Sequence, residues 1–266
     1  MISLWAAYIA VGCFAGILAG LLGVGGGLVI VPMLDICFTS QGFPGGLIMH
    51  LALGTSLASI MFTSVSSFWS HHRHGAVRWD VVRRVTPGIL AGTFGGSCIA
   101  AVMSTEFLKI FFVVFLFYVS FQMVADKKPN PSRDLPGWPG MFGAGGVIGI
   151  VSSLVGIGGG SLSVPFMIWC NLAIHHAIGT SAAIGFPIAV AGSVGYIYTG
   201  LHVSGLPEYS LGYVYLPALI GIVAASVLTA PLGVRMAHAL PVSKLKRGFA
   251  ILLLVMGIRM LFKLVW

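Results

Sequence analysis

The sequence predicts an all-α polytopic membrane protein made of two inverted repeats, each a glycine-tipped broken-helix hairpin followed by three membrane helices. Three observations carry that prediction. First, 58% of the 266 residues are hydrophobic and 8% are charged, and the mean hydropathy is +1.02, whereas soluble domains carry about 25% charged residues. Second, Gly20–Leu34 returns 133 positions later as Ser153–Met167. Extended to Cys37 and Cys170, eight of eighteen positions are identical, among them a Gly-x-Gly-Gly-Gly core and the proline five residues after it. Third, one orientation of the halves gathers eleven of the fourteen basic residues on a single side of the membrane, as cytoplasmic loops require.

The first repeat, residues 1–125, opens with an apolar run from about Leu4 to Leu22 that breaks at Gly23–Gly27 and resumes from Leu28 to Phe38. A helix needs about 20 residues to cross a ~30 Å hydrocarbon core, and whether the first arm of the hairpin crosses fully or stops halfway is left open. After a polar loop, Thr39–Gly46, the run Leu47–Ser70 carries Gly54-Thr55-Ser56 and ends in His71, His72, Arg73 and His74. Val81–Met103 and Phe107–Ala125 complete the unit. No Lys or Arg precedes Arg73, so the N-terminal run lacks the basic flank of a cleaved signal peptide and is expected to stay.

Residues 126–139, with Lys127, Lys128, Arg133 and four prolines, form the linker, placed in the cytoplasm. The second repeat, residues 140–266, repeats the order: a run from Met141 broken at Gly156–Gly160 and ending at Cys170, a helix Ala177–Thr199 with Gly179-Thr180-Ser181, then Leu211–Leu232 and Leu245–Val265. Eight to ten membrane segments result, depending on whether each hairpin arm crosses fully.

Orientation follows from charge. If each glycine break reverses the chain, the halves insert oppositely, and Arg235, Lys244, Lys246 and Arg247 join Arg73, Arg78, Arg83, Arg84 and the linker cations inside. Only Lys109, Arg259 and Lys263 are left near the other side. Kinked helices would give nine against five, so the positive-inside rule favours the reversal. The 30 residues from Met141 to Cys170 would make one helix of about 45 Å, long for a single crossing. The +8 net charge is thereby read as topology on an anionic bilayer surface, not as a nucleic-acid footprint. Four cysteines without a Cys-x-x-Cys spacing predict neither a disulfide framework nor a zinc site.

The chemistry concentrates in the glycine turns. After a hairpin tip, the second arm starts with about four unpaired N–H groups at the positive end of the helix dipole, which is an anion site. In opposed repeats two such tips can meet near the membrane centre and hold one anion without a buried lysine or arginine. The candidate substrate-binding residues are Gly23, Gly25, Gly26 and Gly27 with Gly156, Gly158, Gly159 and Gly160, joined by the hydroxyls of Thr55, Ser56, Thr180 and Ser181. The competing reading is that the glycines serve close helix packing and the hydroxyls bond back to carbonyls. Pro32 and Pro165 remove a backbone donor inside each second arm, freeing carbonyls to line a cavity or letting the arm bend.

Asp35, His50 and His175 are candidates for proton coupling or gating, set against simple interfacial placement. Two other function classes compete. An intramembrane hydrolase would use Ser56 or Ser181 with a histidine, and a metal permease would use His71, His72 and His74. No cofactor is expected.

Two inverted-looking halves, each with Gly-(Val/Ile)-Gly-Gly-Gly-x4-Pro and an Ala-x-Gly-Thr-Ser helix at Ala52–Ser56 and Ala177–Ser181, closely resemble the sulfite exporter TauE/SafE family. The resemblance covers essentially the whole chain. It implies a permease of the bacterial inner membrane that moves sulfite or an organosulfonate such as sulfoacetate outward, with the two glycine motifs, their prolines and the Thr-Ser pairs as the residues to which the family's function would fall.

Overall fold

The computed structural model describes residues 2–22, 26–125, 133–239 and 242–265. Gly23 and Gly25 and linker residues 126–132 lie outside the described residues. The elements in order are α1 (Ile2–Leu22), α2 (Gly27–Ser40), a short 3-10 turn Gly45–Leu47, α3 (Ile48–Arg73), α4 (Trp79–Val102), α5 (Thr105–Ala125), α6 (Trp138–Val155), α7 (Gly160–Trp169), α8 (Ile174–Gly200), the two-residue strands β1 (Ser210–Leu211) and β2 (Val214–Tyr215), α9 (Leu216–Ala239) and α10 (Val242–Val265). Among the described residues six helices are long and apolar enough to cross a membrane, and α1, α2 and α7 supply shorter apolar stretches. The chain is an all-α multi-pass membrane protein.

The central pair is α3 and α8. In each, 72% of the most apolar stretch is buried, against 39–44% for the corresponding stretches of α4, α5, α6 and α9. The two run antiparallel, since a β-carbon added at Gly54 would lie 3.1 Å from the Tyr196 side chain while one at Gly185 would lie 3.8 Å from that of Ser64. Around them α1 packs along α9, and α4 along α6. Both of these pairs run parallel and both rely on glycines four residues apart, which let backbones approach closely in a membrane. A methyl group at Gly12 would sit 2.5 Å from the Ile222 carbonyl oxygen, and one at Gly16 2.5 Å from that of Ser226. On the other side Gly88, Gly92 and Gly96 face Phe142, Gly146 and Ile150. Finally α5 packs against α10, where Ser120 Oγ donates to the Ala250 carbonyl at 2.8 Å.

Two of the boundaries that differ from the sequence expectation have a clear local cause. Helix α9 begins at Leu216, not near Leu211, because Ser210–Leu211 and Val214–Tyr215 pair as an antiparallel hairpin turned by Gly212 at φ +55°. Helix α6 begins at Trp138, inside the stretch assigned to the linker, with Pro139 in its first turn. Proline fits there because the amides of a first turn have no intrahelical acceptor.

Candidate functional site

Each half breaks at its glycines as separate helices. Helix α6 ends at Gly156, whose φ of +70° is the left-handed conformation of a C-terminal cap. The amides of Gly156 and Ile157 both reach the Ser152 carbonyl. Three residues later Gly159, at φ +77°, starts α7, and Gly26, at φ +73°, starts α2 in the same way. Neither helix has a side-chain cap. The first bonds into the Gly26 carbonyl come from Val29 and Ile30, and those into the Gly159 carbonyl from Leu162 and Ser163. The amides ahead of these point out of each helix start. At 14 and 10 residues, α2 and α7 are about 21 and 15 Å long at 1.5 Å per residue, short of a full crossing. Pro32 and Pro165 lie inside them and leave the carbonyls of Leu28 and Ser161 without their helical donors.

The start of α2 touches the glycine turn between α6 and α7. A β-carbon added at Gly27 would run into the Gly156 carbonyl oxygen and come within 3.0 Å of Ile157 Cα. The same carbonyl accepts the Ser56 hydroxyl at 2.8 Å. In the other half Ser181 Oγ and Ser163 Oγ are hydrogen bonded at 2.7 Å. Ser152 Oγ and Ser161 Oγ are buried without a hydrogen-bond partner among the described residues, and a β-carbon on Gly159 would lie 3.4 Å from Ser152 Oγ. Among the described residues the region therefore combines uncapped helix starts and buried hydroxyls without a charged side chain.

The threonines of the two Gly-Thr-Ser triplets do something else. Thr55 Oγ1 accepts the backbone N–H of Tyr215, and Thr180 Oγ1 accepts that of Arg78, each at 3.0 Å. Both hydroxyl oxygens are thus engaged by extended segments of the opposite half. The glycines beside them make room, since a methyl at Gly54 would strike the Tyr213 carbonyl and one at Gly179 would lie 2.8 Å from Ala76. Only Ser56 and Ser181 of the four predicted hydroxyls reach the glycine turns.

The proposed coupling residues are dispersed. Asp35 is buried in α2 and pairs with Lys109 Nζ of α5 at 2.9 Å. His50 is buried, places Nε2 3.0 Å from the Ala100 carbonyl, and stacks on Tyr213 with ring centroids 4.9 Å apart; burial pushes the Tyr213 hydroxyl above its ordinary range. His175, its sequence counterpart, is exposed. At the basic end, His72 Nδ1 accepts the Trp79 indole at 3.2 Å, and His74 Nδ1 lies 2.8 Å from the Ser70 carbonyl.

Sequence reasoning missed the pocket beside the turns. It lies between α3 and α8, lined by Ile60, Thr63, Ser64 and Ser67 on one side and Gly158, Ser181 and Gly185 on the other, with about 10 Å³ of free space, room for roughly one water molecule. Its signal was present as hydroxyls recurring three and four residues apart at Ser56, Ser59, Thr63 and Ser67, which a helix of 3.6 residues per turn aligns on one face.

Comparison with known proteins agrees over the same length. The family model described as Sulfite exporter TauE/SafE matches residues 8–260. A protein of Haemophilus influenzae named "Probable membrane transporter protein" is 40% identical over 254 residues, covering 95% of this chain and 96% of that protein. "Probable membrane transporter protein YdhB" of Bacillus subtilis is 26% identical, covering 93% and 96%, and a similarly named protein of Methanocaldococcus jannaschii is 27% identical, covering 95% and 94%. No solved structure gives a significant match. A multi-pass helical chain in which the start of α2 meets the glycine turn between α6 and α7, matched across nearly its whole length, belongs to the TauE/SafE family and is a membrane transporter.

Proposed function

We propose that the protein exports a small sulfur oxyanion, sulfite or an organosulfonate such as sulfoacetate, across the bacterial inner membrane by alternating access. The observation that carries this reading is the contact of Gly27 with Gly156 and Ile157, which sets the uncapped start of α2 against the glycine turn that leads into the uncapped start of α7. Helix starts of this kind attract anions through their free amides and dipole. The turns contain no basic residue, and an ion held without a buried counter-charge can also leave. The family description names sulfite.

The two halves act as inverted repeats. Antiparallel α3 and α8, with parallel α1–α9 and α4–α6 pairs, support an exchange of equivalent helices about an axis in the membrane plane, the architecture that lets one repeat rock against the other. The basic loops face the cytoplasm by the positive-inside rule. The interior-negative potential drives a monovalent anion outward by about 2.3 kcal/mol per 100 mV, so export needs no coupled proton.

The test is sulfite and sulfoacetate efflux from proteoliposomes under an imposed potential, with Gly26→Leu and Gly159→Leu assessed for intact folding by size-exclusion chromatography. Efflux that follows the potential in the wild type and disappears in both variants is expected. Undiminished flux in both would sink the glycine site, and a wild type that carries neither anion would sink the substrate assignment.

A further inference from the structure

The pocket between α3 and α8 extends the anion-transport reading and rests on it. It occupies the stretch of α3 that runs towards Arg73 and the stretch of α8 that starts at Ile174, the basic end of the molecule. The opposite end is filled. There Tyr196 and Tyr213 meet edge to face with centroids 6.3 Å apart, and Phe38 and Phe43 pack on Tyr215 at 5.6 and 5.1 Å. The free space beside the glycine turn thus lies towards the basic end and not towards the filled one.

The narrow point has a distinctive composition. Most glycines of α8 are there so that another segment can fit: a methyl at Gly179, Gly192, Gly195 or Gly200 would come within 3.0 Å of Ala76, Leu57, Ser97 or Gly212. Gly185 is different. Its nearest neighbours would be the Gly158 carbonyl oxygen at 3.3 Å and Ser64 Cβ at 3.8 Å, so a methyl there would fit with little adjustment and fill the pocket instead of splitting helices. The missing side chain leaves space next to the glycine turn. That space is rimmed by Thr63, Ser64, Ser67 and Ser181. Ser64 Oγ bonds back to the Met61 carbonyl at 3.1 Å, a local bond that a rotating hydroxyl can exchange for one to an anion. Hydroxyls without a fixed charge suit an anion that must pass through.

We propose that Ser64, Gly185 and the Gly158 carbonyl form the inner constriction of the anion pathway, and that the absent side chain at Gly185 sets the largest sulfur oxyanion admitted. The free space fits about one water molecule, so α3 and α8 separate there as an anion passes, and a methyl group adds directly to what must be cleared.

The experiment measures efflux of sulfite, methanesulfonate and sulfoacetate, one head group of increasing size, from proteoliposomes of the full chain carrying wild type, Gly185→Ala or Ser64→Gly. Gly185→Ala is expected to lower the flux of the largest anion carried by about tenfold relative to sulfite, the scale of discrimination of one methyl group in a fitted pocket. Ser64→Gly should shift the ratio the other way, which keeps the test decisive if Gly185→Ala does not fold. A size ratio unchanged in the folded variants overturns the constriction while leaving transport intact. A wild type that moves none of the three anions overturns the transport reading itself.

Discussion

Thr55 Oγ1 accepts the backbone N–H of Tyr215 at 3.0 Å, across 160 residues of sequence. Its counterpart Thr180 holds the amide of Arg78 in the same way. Thr55→Val and Thr180→Val keep the shape and leave a backbone donor unpaired in the protein interior, at a cost of about 1–3 kcal/mol each. Thermal unfolding in detergent should fall for both valine variants and recover for Thr55→Ser and Thr180→Ser.

Asp35 and Lys109 form a largely buried ion pair, with side chains 3% and 15% exposed. Asp35→Asn removes one partner and strands the other, so a loss of about 3 kcal/mol is expected. The double replacement Asp35→Asn with Lys109→Met should recover most of it. Stability of the two variants by thermal scanning checks this, and a double variant no better than the single would remove the pair as the cause.

Two glycines on one helix separate packing from permissiveness. A methyl at Gly92 of α4 would run into the Gly146 backbone, whereas one at Gly95 meets nothing within 4 Å. Gly92→Ala should destabilise by about 1–3 kcal/mol through overpacking. Gly95→Ala should be neutral or stabilise by up to about 1 kcal/mol, because alanine costs less to order in a helix. Comparing their unfolding midpoints tests the parallel α4–α6 contact.

Orientation is accessible to labelling. Glu208 lies exposed in the segment before the β-hairpin and His74 lies exposed at the end of α3. In intact cells a cysteine at Glu208 should react with an impermeant thiol reagent, and one at His74 should react only after the membrane is opened. Both positions reacting from the same side would exclude the inverted arrangement, and the reverse pattern would put the basic loops outside.

What the sequence revealed depended on range. The glycine breaks were legible because local rules suffice: clustered glycines followed five residues later by proline cannot continue a helix, and duplication marked both copies. The start of α9 was not, because Leu211, Val214 and Tyr215 read as apolar helix unless Gly212 is known to turn a hairpin there. The role of Thr55 and Thr180 was hidden for a different reason. Their partners Tyr215 and Arg78 lie in the other half, and nothing in a Gly-Thr-Ser triplet says which distant amide will meet it. Asp35 likewise gave no sign of Lys109, 74 positions away. The pocket hydroxyls Thr63 and Ser67 stand on a periodic face with Ser56 and Ser59, yet only the packing of α8 shows that the face borders a cavity.

The parallel packing of α1 on α9 also constrains how the protein can be made. Gly12 meets Ile222, so the ribosome must add 210 residues before that partner exists, roughly 10–40 s at about 5–20 residues per second. Throughout that interval the first helix stands in the bilayer with its small-residue groove facing lipid or the insertion machinery. The α1–α9 contact therefore forms only once most of the second half has been synthesised.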